Sequence, residues 1–184
     1  MRVIGVDPGS RSCGYGILES NNGSLTHVTS GAITPPATDS LSKRLHKIYS
    51  SLVDVIELFS PDYMSIEDSF FAKNAKSAIK LGQARGVAML AAENSGIEIF
   101  EYSPTKVKLA VTGSGRAKKF EIMKMISYIL KIEEFEKSDI SDAIAIALCH
   151  INMSKYPEIN SLNLQSKSGR KRRRFTLNDI ATKR

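Results

Sequence analysis

Cysteine is scarce in this 184-residue chain, with only Cys13 and Cys149 present. Two isolated thiols exclude a disulfide framework and a cysteine-based zinc site. Both are expected to be small buried apolar residues in a reducing cytoplasm. Histidine is nearly as rare: His27, His46 and His150 stand apart, with no serine or cysteine nucleophile motif beside them. That removes a serine or cysteine triad. His27 and His46 are expected to be solvated or structural, and His150 falls on the last predicted helix. No run of eighteen apolar residues occurs, and the N-terminus enters a strand pattern directly, so neither a membrane span nor an export signal is expected.

What is there begins with charge. The chain carries 26 Lys and Arg against 19 Asp and Glu, a formal net charge of +7. Residues 167–184 hold eight of those bases and one acid, so the rest of the chain is balanced. A polyanion-binding surface on the folded part must therefore be local. Residues 73–124 supply one, with ten bases against four acids. At this length one domain with a real core is expected, over 1–156, followed by a basic, disordered tail over 157–184.

The apolar run Val3-Ile4-Gly5-Val6 stops on Asp7 and turns at Pro8-Gly9. Asp also begins turns, so this stretch alone does not separate a site acid from a turn residue. Gly14 to Leu18 and Leu25 to Ile33 read as two further strands, joined at Asn21-Asn22-Gly23. A helix is predicted from Leu41 to Phe59, with Leu41, Leu45, Ile48, Leu52 and Ile56 at helical spacing. Tyr63 to Glu67 reads as a short buried strand that again ends on an acid. Helices are predicted over Ala75–Asn94, from Ser103-Pro104 and over Phe120–Ile132, with a strand over Ile97–Tyr102. The small residues around Gly82, Ala84 and Gly86 are expected to allow close packing. The last helix begins near Ser138, a candidate N-cap, and runs to about Met153. It puts Asp139 and Asp142 on one face.

Strand-end acids can share the crevice at the end of a sheet, so Asp7 and Glu67 are expected to face one another, with Asp139 and Asp142 brought to them. Two like charges about 4 Å apart repel by roughly 4 kcal/mol at an effective dielectric of 20. Divalent cations offset that repulsion, and hard carboxylate ligands favour Mg²⁺ or Mn²⁺ over zinc. A pair of such ions about 3.5–4 Å apart can hold a phosphodiester for in-line attack by water. The pattern reads as a metal-dependent phosphodiesterase.

With those residues in place, the chain resembles the RuvC family of Holliday-junction resolvases over nearly all of residues 1–153. The likeness rests on Ile4-Gly5-Val6-Asp7-Pro8-Gly9-Ser10 with Gly14-Tyr15-Gly16, and on Ile66-Glu67 followed by Phe70-Phe71-Ala72-Lys73-Asn74. It continues through Leu81-Gly82-Gln83-Ala84-Arg85-Gly86 and Asp139-Ile140-Ser141-Asp142. The resemblance implies a ribonuclease-H-like α/β fold: a mixed five-stranded sheet, its first three strands antiparallel, flanked by helices on both faces. It implies four catalytic, metal-binding carboxylates, Asp7, Glu67, Asp139 and Asp142, holding two Mg²⁺, which Mn²⁺ can replace. It implies a homodimer that nicks four-way DNA junctions symmetrically in recombination and repair, leaving 5′-phosphate and 3′-hydroxyl ends, and works with the RuvA-RuvB branch-migration complex. The family's junction-contacting aromatic maps to Phe70, and its phosphate-binding lysines to Lys108 and Lys119. Lys73 and Lys76 of the basic segment join them as candidate DNA contacts. The run Arg170 to Arg174 exceeds the family pattern. Two other classes remain: a catalytically inactive junction-binding protein, and an actin-like or sugar-kinase phosphotransferase using Asp7-Pro8-Gly9-Ser10 as a phosphate loop.

Overall fold

The chain is described here from a computed structural model covering residues 1–68, 74–132 and 137–154. Phe70, Phe71, Lys73 and the expected tail over 157–184 lie outside the described residues. Met1–Asn152 form one compact unit. In chain order the elements are β1 (Arg2–Asp7), β2 (Cys13–Asn21), β3 (Ser24–Ile33), α1 (Leu41–Phe59), β4 (Tyr63–Glu67) and α2 (Ala75–Asn94). They continue with β5 (Glu98–Tyr102), α3 (Pro104–Thr112), α4 (Lys119–Leu130) and α5 (Ser138–Ser154).

The strands lie in the order β3-β2-β1-β4-β5. β1, β2 and β3 pair antiparallel, and β4 and β5 add in parallel beyond β1. This is the expected mixed sheet. The β2–β3 hairpin closes through Asn22 and Gly23, both at positive φ (49° and 85°). Two such residues make the turn whose twist matches the flanking strands. Three helix starts are capped by side chains: Ser40, Asn74 and Ser103 accept from the N–H groups of Lys43, Ser77 and Lys106.

Alternation along the strands gives the sheet two different faces. Ile4, Val6, Cys13, Ile17, Met64 and Ile66 share a core with Ile48, Leu52 and Ile56 of α1 and Ala88, Ala91 and Ala92 of α2. Each fully buried Ile or Leu there contributes roughly 1.5–3 kcal/mol. The alternate residues form a smooth opposite face. A Cβ on Gly5 would overlap the backbone of Ala143, and one on Gly16 would stand 2.5 Å from Ile144 Cγ1. Ser65 completes this face by donating to the carbonyl of Ile146 at 3.2 Å. So α5 lies directly on the strands, which explains why Ile140, Ser141 and Ala143 through Ile151 are all buried.

The small residues of α2 divide their roles. Ala84 and Ala88 are fully buried, whereas a Cβ on Gly82 or Gly86 would meet nothing within 4 Å. Within this chain the alanines do the close packing, and the two glycines do not.

Candidate active site

The smooth face of the sheet ends in acids. Asp7 follows Gly5 by two residues on β1, and Glu67 follows Ser65 by two on β4, so both carboxylates share the face that α5 covers. α5 then crosses at the level that the glycines allow. Asp7 pairs with Gly14 across β1 and β2, and a Cβ on Gly14 would overlap the Asp139 carbonyl oxygen. Asp139 lies in the first turn of α5 and Asp142 one turn on. Ser138 is the first helical residue, with its hydroxyl 3.3 Å from Asp139 Oδ1.

Asp7, Glu67 and Asp142 line one cleft of about 280 Å³, and Lys108 and Lys119 line it too. Its apolar wall comes from Val107 on α3, Ile122 on α4, and Ala145 and Ile146 on α5. α4 begins at Lys119, one residue earlier than the periodicity predicts, because the Glu121 carboxylate caps the Lys118 N–H at 2.6 Å. That start puts the Lys119 ammonium 2.5 Å from Asp142 Oδ2.

The electrostatics centre on Asp7. Burial, then the charges of Asp142, Asp139 and Glu67, raise its carboxyl from 3.8 to about 7, while Lys119 pulls it down. Asp139, which does not line the cleft, thus acts on Asp7 through its charge. Three acids lining one apolar-walled cleft, with Asp139 acting on it by charge, offer hard oxygen donors of the kind suited to Mg²⁺ or Mn²⁺. Among the described residues no three acid, histidine or cysteine side chains stand together as a finished metal shell. Asp142 is instead engaged by Lys119.

The remaining candidates are distributed differently. Lys76 is exposed in the first turn of α2, outside the cleft lining. Phe70 and Lys73 fall outside the described residues. His150 is turned away from the acids: its Nδ1 shares a 2.8 Å hydrogen bond with Tyr102 Oη, among the rings of Tyr63, Phe100 and Tyr102. Burial lowers that imidazole to about 4, so it is neutral at pH 7. Cys13 and Cys149 are buried free thiols, both pushed up to about 12 by burial, and inert. Arg85, one of the ten bases of the basic segment, is not a surface cation. It pairs with Glu101 and donates to the Glu67 carbonyl. Gly5, Gly14, Gly16 and Ser65 are the residues that seat α5 and that charge and periodicity pass over. The available signal is glycine inside a strand, which marks close backbone approach.

Residues 3–150 match the family described as "Crossover junction endodeoxyribonuclease RuvC". The protein of that name from Geobacter sulfurreducens is 47% identical over 152 residues, 83% of this chain and 93% of the relative. The one from Caldanaerobacter subterraneus subsp. tengcongensis is 41% identical over 159 residues, 86% of this chain and 96% of the relative. Among solved structures, T. thermophilus RuvC in complex with Holliday junction substrate is similar with a TM-score of 0.81 and 29% identity, covering 85% of this chain and 96% of that one.

Proposed function

We propose, on the premise that the chain belongs to the RuvC family of crossover junction endodeoxyribonucleases, that it resolves four-way DNA junctions by paired symmetric nicks in recombination and repair. The observation that carries this is the cleft itself. Asp7 is half-buried at a strand end against the charges of Asp142, Asp139 and Glu67, with Lys108 and Lys119 lining the same cleft. Such a site is negative where cations are needed and positive where a phosphodiester must rest.

The family is divalent-metal-dependent, and the acids fit such ions by donor chemistry. We assign Asp7, Glu67, Asp139 and Asp142 as the ligands of two Mg²⁺, with Mn²⁺ able to substitute. When bound, the ions supply the positive charge that activates water and stabilises the departing oxygen. Hydrolysis then joins a water oxygen to phosphorus and breaks the bond to the 3′ oxygen, leaving a 5′-phosphate and a 3′-hydroxyl. Lys108 and Lys119 bind phosphate oxygens. Were a cation held at Asp142, the Lys119 ammonium, which lies 2.5 Å from its Oδ2, would be free for the DNA. Val107, Ile122 and Ile146 limit water at the reacting phosphate, which strengthens each charge interaction there. Phe70 contacts the junction centre, and Lys73 and Lys76 contact the arms. The working form is a homodimer, because two-fold junction symmetry asks for two opposed sites. Its partner is the RuvA-RuvB branch-migration complex, and it works in the cytoplasm.

The test is a synthetic four-way junction with Mg²⁺, beside linear duplex and ATP. Paired symmetric nicks on the junction alone are expected. ATP turnover without cleavage, or equal cutting of the duplex, would refute the proposal.

A further inference from the structure

β4 ends at Glu67, and its pairing with β1 extends only to Ile66. The peptide that follows, linking Glu67 to Asp68, is nonetheless held on both sides. Its N–H donates to the Tyr102 carbonyl at 2.7 Å. Its C=O, belonging to Glu67, accepts from Arg85 Nη1. Arg85 Nη2 donates to Glu101 Oε2 on β5, so both arms of one guanidinium are committed.

The Arg85 side chain is only 12% exposed, and its helix is fixed locally by Ala84 and Ala88, both fully buried. A planar fork can serve a carbonyl and a carboxylate together, whereas a lysine ammonium on a flexible stem cannot match that geometry. Arg85 therefore has little left to offer DNA. What it touches is the backbone of a site acid.

We infer that Arg85 is a positioning residue for Glu67, fixing the strand end from which that carboxylate enters the cleft, with Glu101 holding the guanidinium in place. The inference rests on Glu67 being a metal ligand, as proposed above. Groups that hold metal ligands in place typically change metal affinity by about 10- to 100-fold when altered.

The experiment uses the full chain without DNA and reads Mn²⁺ affinity by electron paramagnetic resonance. The set is Arg85→Lys, Glu67→Gln, the double variant and Glu101→Gln, with a melting curve for each. Arg85→Lys is expected to weaken Mn²⁺ binding roughly tenfold and to speed amide exchange at Asp68. The double variant should bind no more weakly than Glu67→Gln alone, because Arg85 acts through Glu67. Losses that add instead would overturn the inference. Glu101→Gln alters a side chain that is 41% exposed, so it keeps the test open if Arg85→Lys does not fold. It should give a smaller loss in the same direction. Unchanged Mn²⁺ affinity in Glu101→Gln and in folded Arg85→Lys would also overturn it. If Glu67→Gln itself leaves Mn²⁺ binding intact, the metal-ligand assignment fails first and the inference falls with it. If Glu67→Gln weakens binding and Arg85→Lys does not, only the inference fails.

Discussion

Gly14 on β2 lies so close to Asp139 on α5 that a Cβ there would overlap the Asp139 carbonyl oxygen. This contact is backbone against backbone, so no side-chain rotation relieves it. It sets the height of α5 above the strand that carries Asp7.

Gly14→Ala is therefore expected to destabilise the protein by about 1–3 kcal/mol, the usual range for an overfilled core. Cleavage should fall further than this loss explains, because lifting α5 withdraws Asp139 and Asp142 together. Urea unfolding and junction cleavage, measured on the same preparation, check both. A variant as active and stable as the parent would mean that α5 is not seated as described.

Asp7→Asn should abolish cleavage and leave junction binding within a few-fold of the parent, by gel shift. It also carries a sign for stability. The Asp7 carboxyl is raised to about 7 by burial and by Asp142, Asp139 and Glu67, while the unfolded chain releases that proton near 3.8. Between those values the native state holds more protons, so this residue's contribution falls as pH rises. In metal-free protein above pH 7 the asparagine variant should be the more stable, by on the order of 2–4 kcal/mol. Urea midpoints in chelator at pH 4 and pH 8 measure the difference.

Lys119→Met separates charge from fold. The Lys119–Asp142 pair has side chains 53% and 33% exposed, and such pairs contribute about 1 kcal/mol or less. Stability should therefore change little. Lys119 lowers the Asp7 carboxyl, so its removal should move the Asp7 midpoint above about 7 in metal-free protein, read by carbon NMR of the carboxyl. An unmoved midpoint would disconnect the two residues.

His150 gives stability the opposite slope. Its ring is lowered by burial from 6.5 to about 4, so between those values the unfolded chain takes up a proton that the native state refuses. Stability should drain as pH falls from 6.5 toward 4, by up to about 3 kcal/mol. Because Asp7 pulls the other way, the effect shows as a difference. The gap between the parent and His150→Phe should narrow, or reverse in favour of the variant, across that window. A constant gap would refute the assignment.

Asp7 and Glu67 are legible in the sequence because each ends an apolar strand, and two strand-end acids are hard to assign to turns alone. The bounds of α1, β4 and α2 follow from Pro, Asn and Ser punctuation and an apolar period that tertiary contacts do not override. The seating of α5 is not legible: Gly5, Gly14 and Gly16 signal that something comes close, but only the tertiary arrangement says that it is one helix. Charge counting fails for a related reason. Arg85 and Lys119 belong to the same basic segment, yet one holds a strand end and the other an acid of the cleft. Composition weighs charges without their partners.

α5 is also the last of the described elements in chain order, and this has a consequence during synthesis. At roughly 5–20 residues per second, residues 68–138 take about 4–14 seconds to follow Glu67 out of the ribosome. Through that interval the growing chain carries Asp7 and Glu67 but neither Asp139 nor Asp142, and the glycine face of its sheet is bare. A half-made chain thus lacks two of the four acids assigned above to the metal ions, and on that assignment the cutting centre is complete only when α5 arrives.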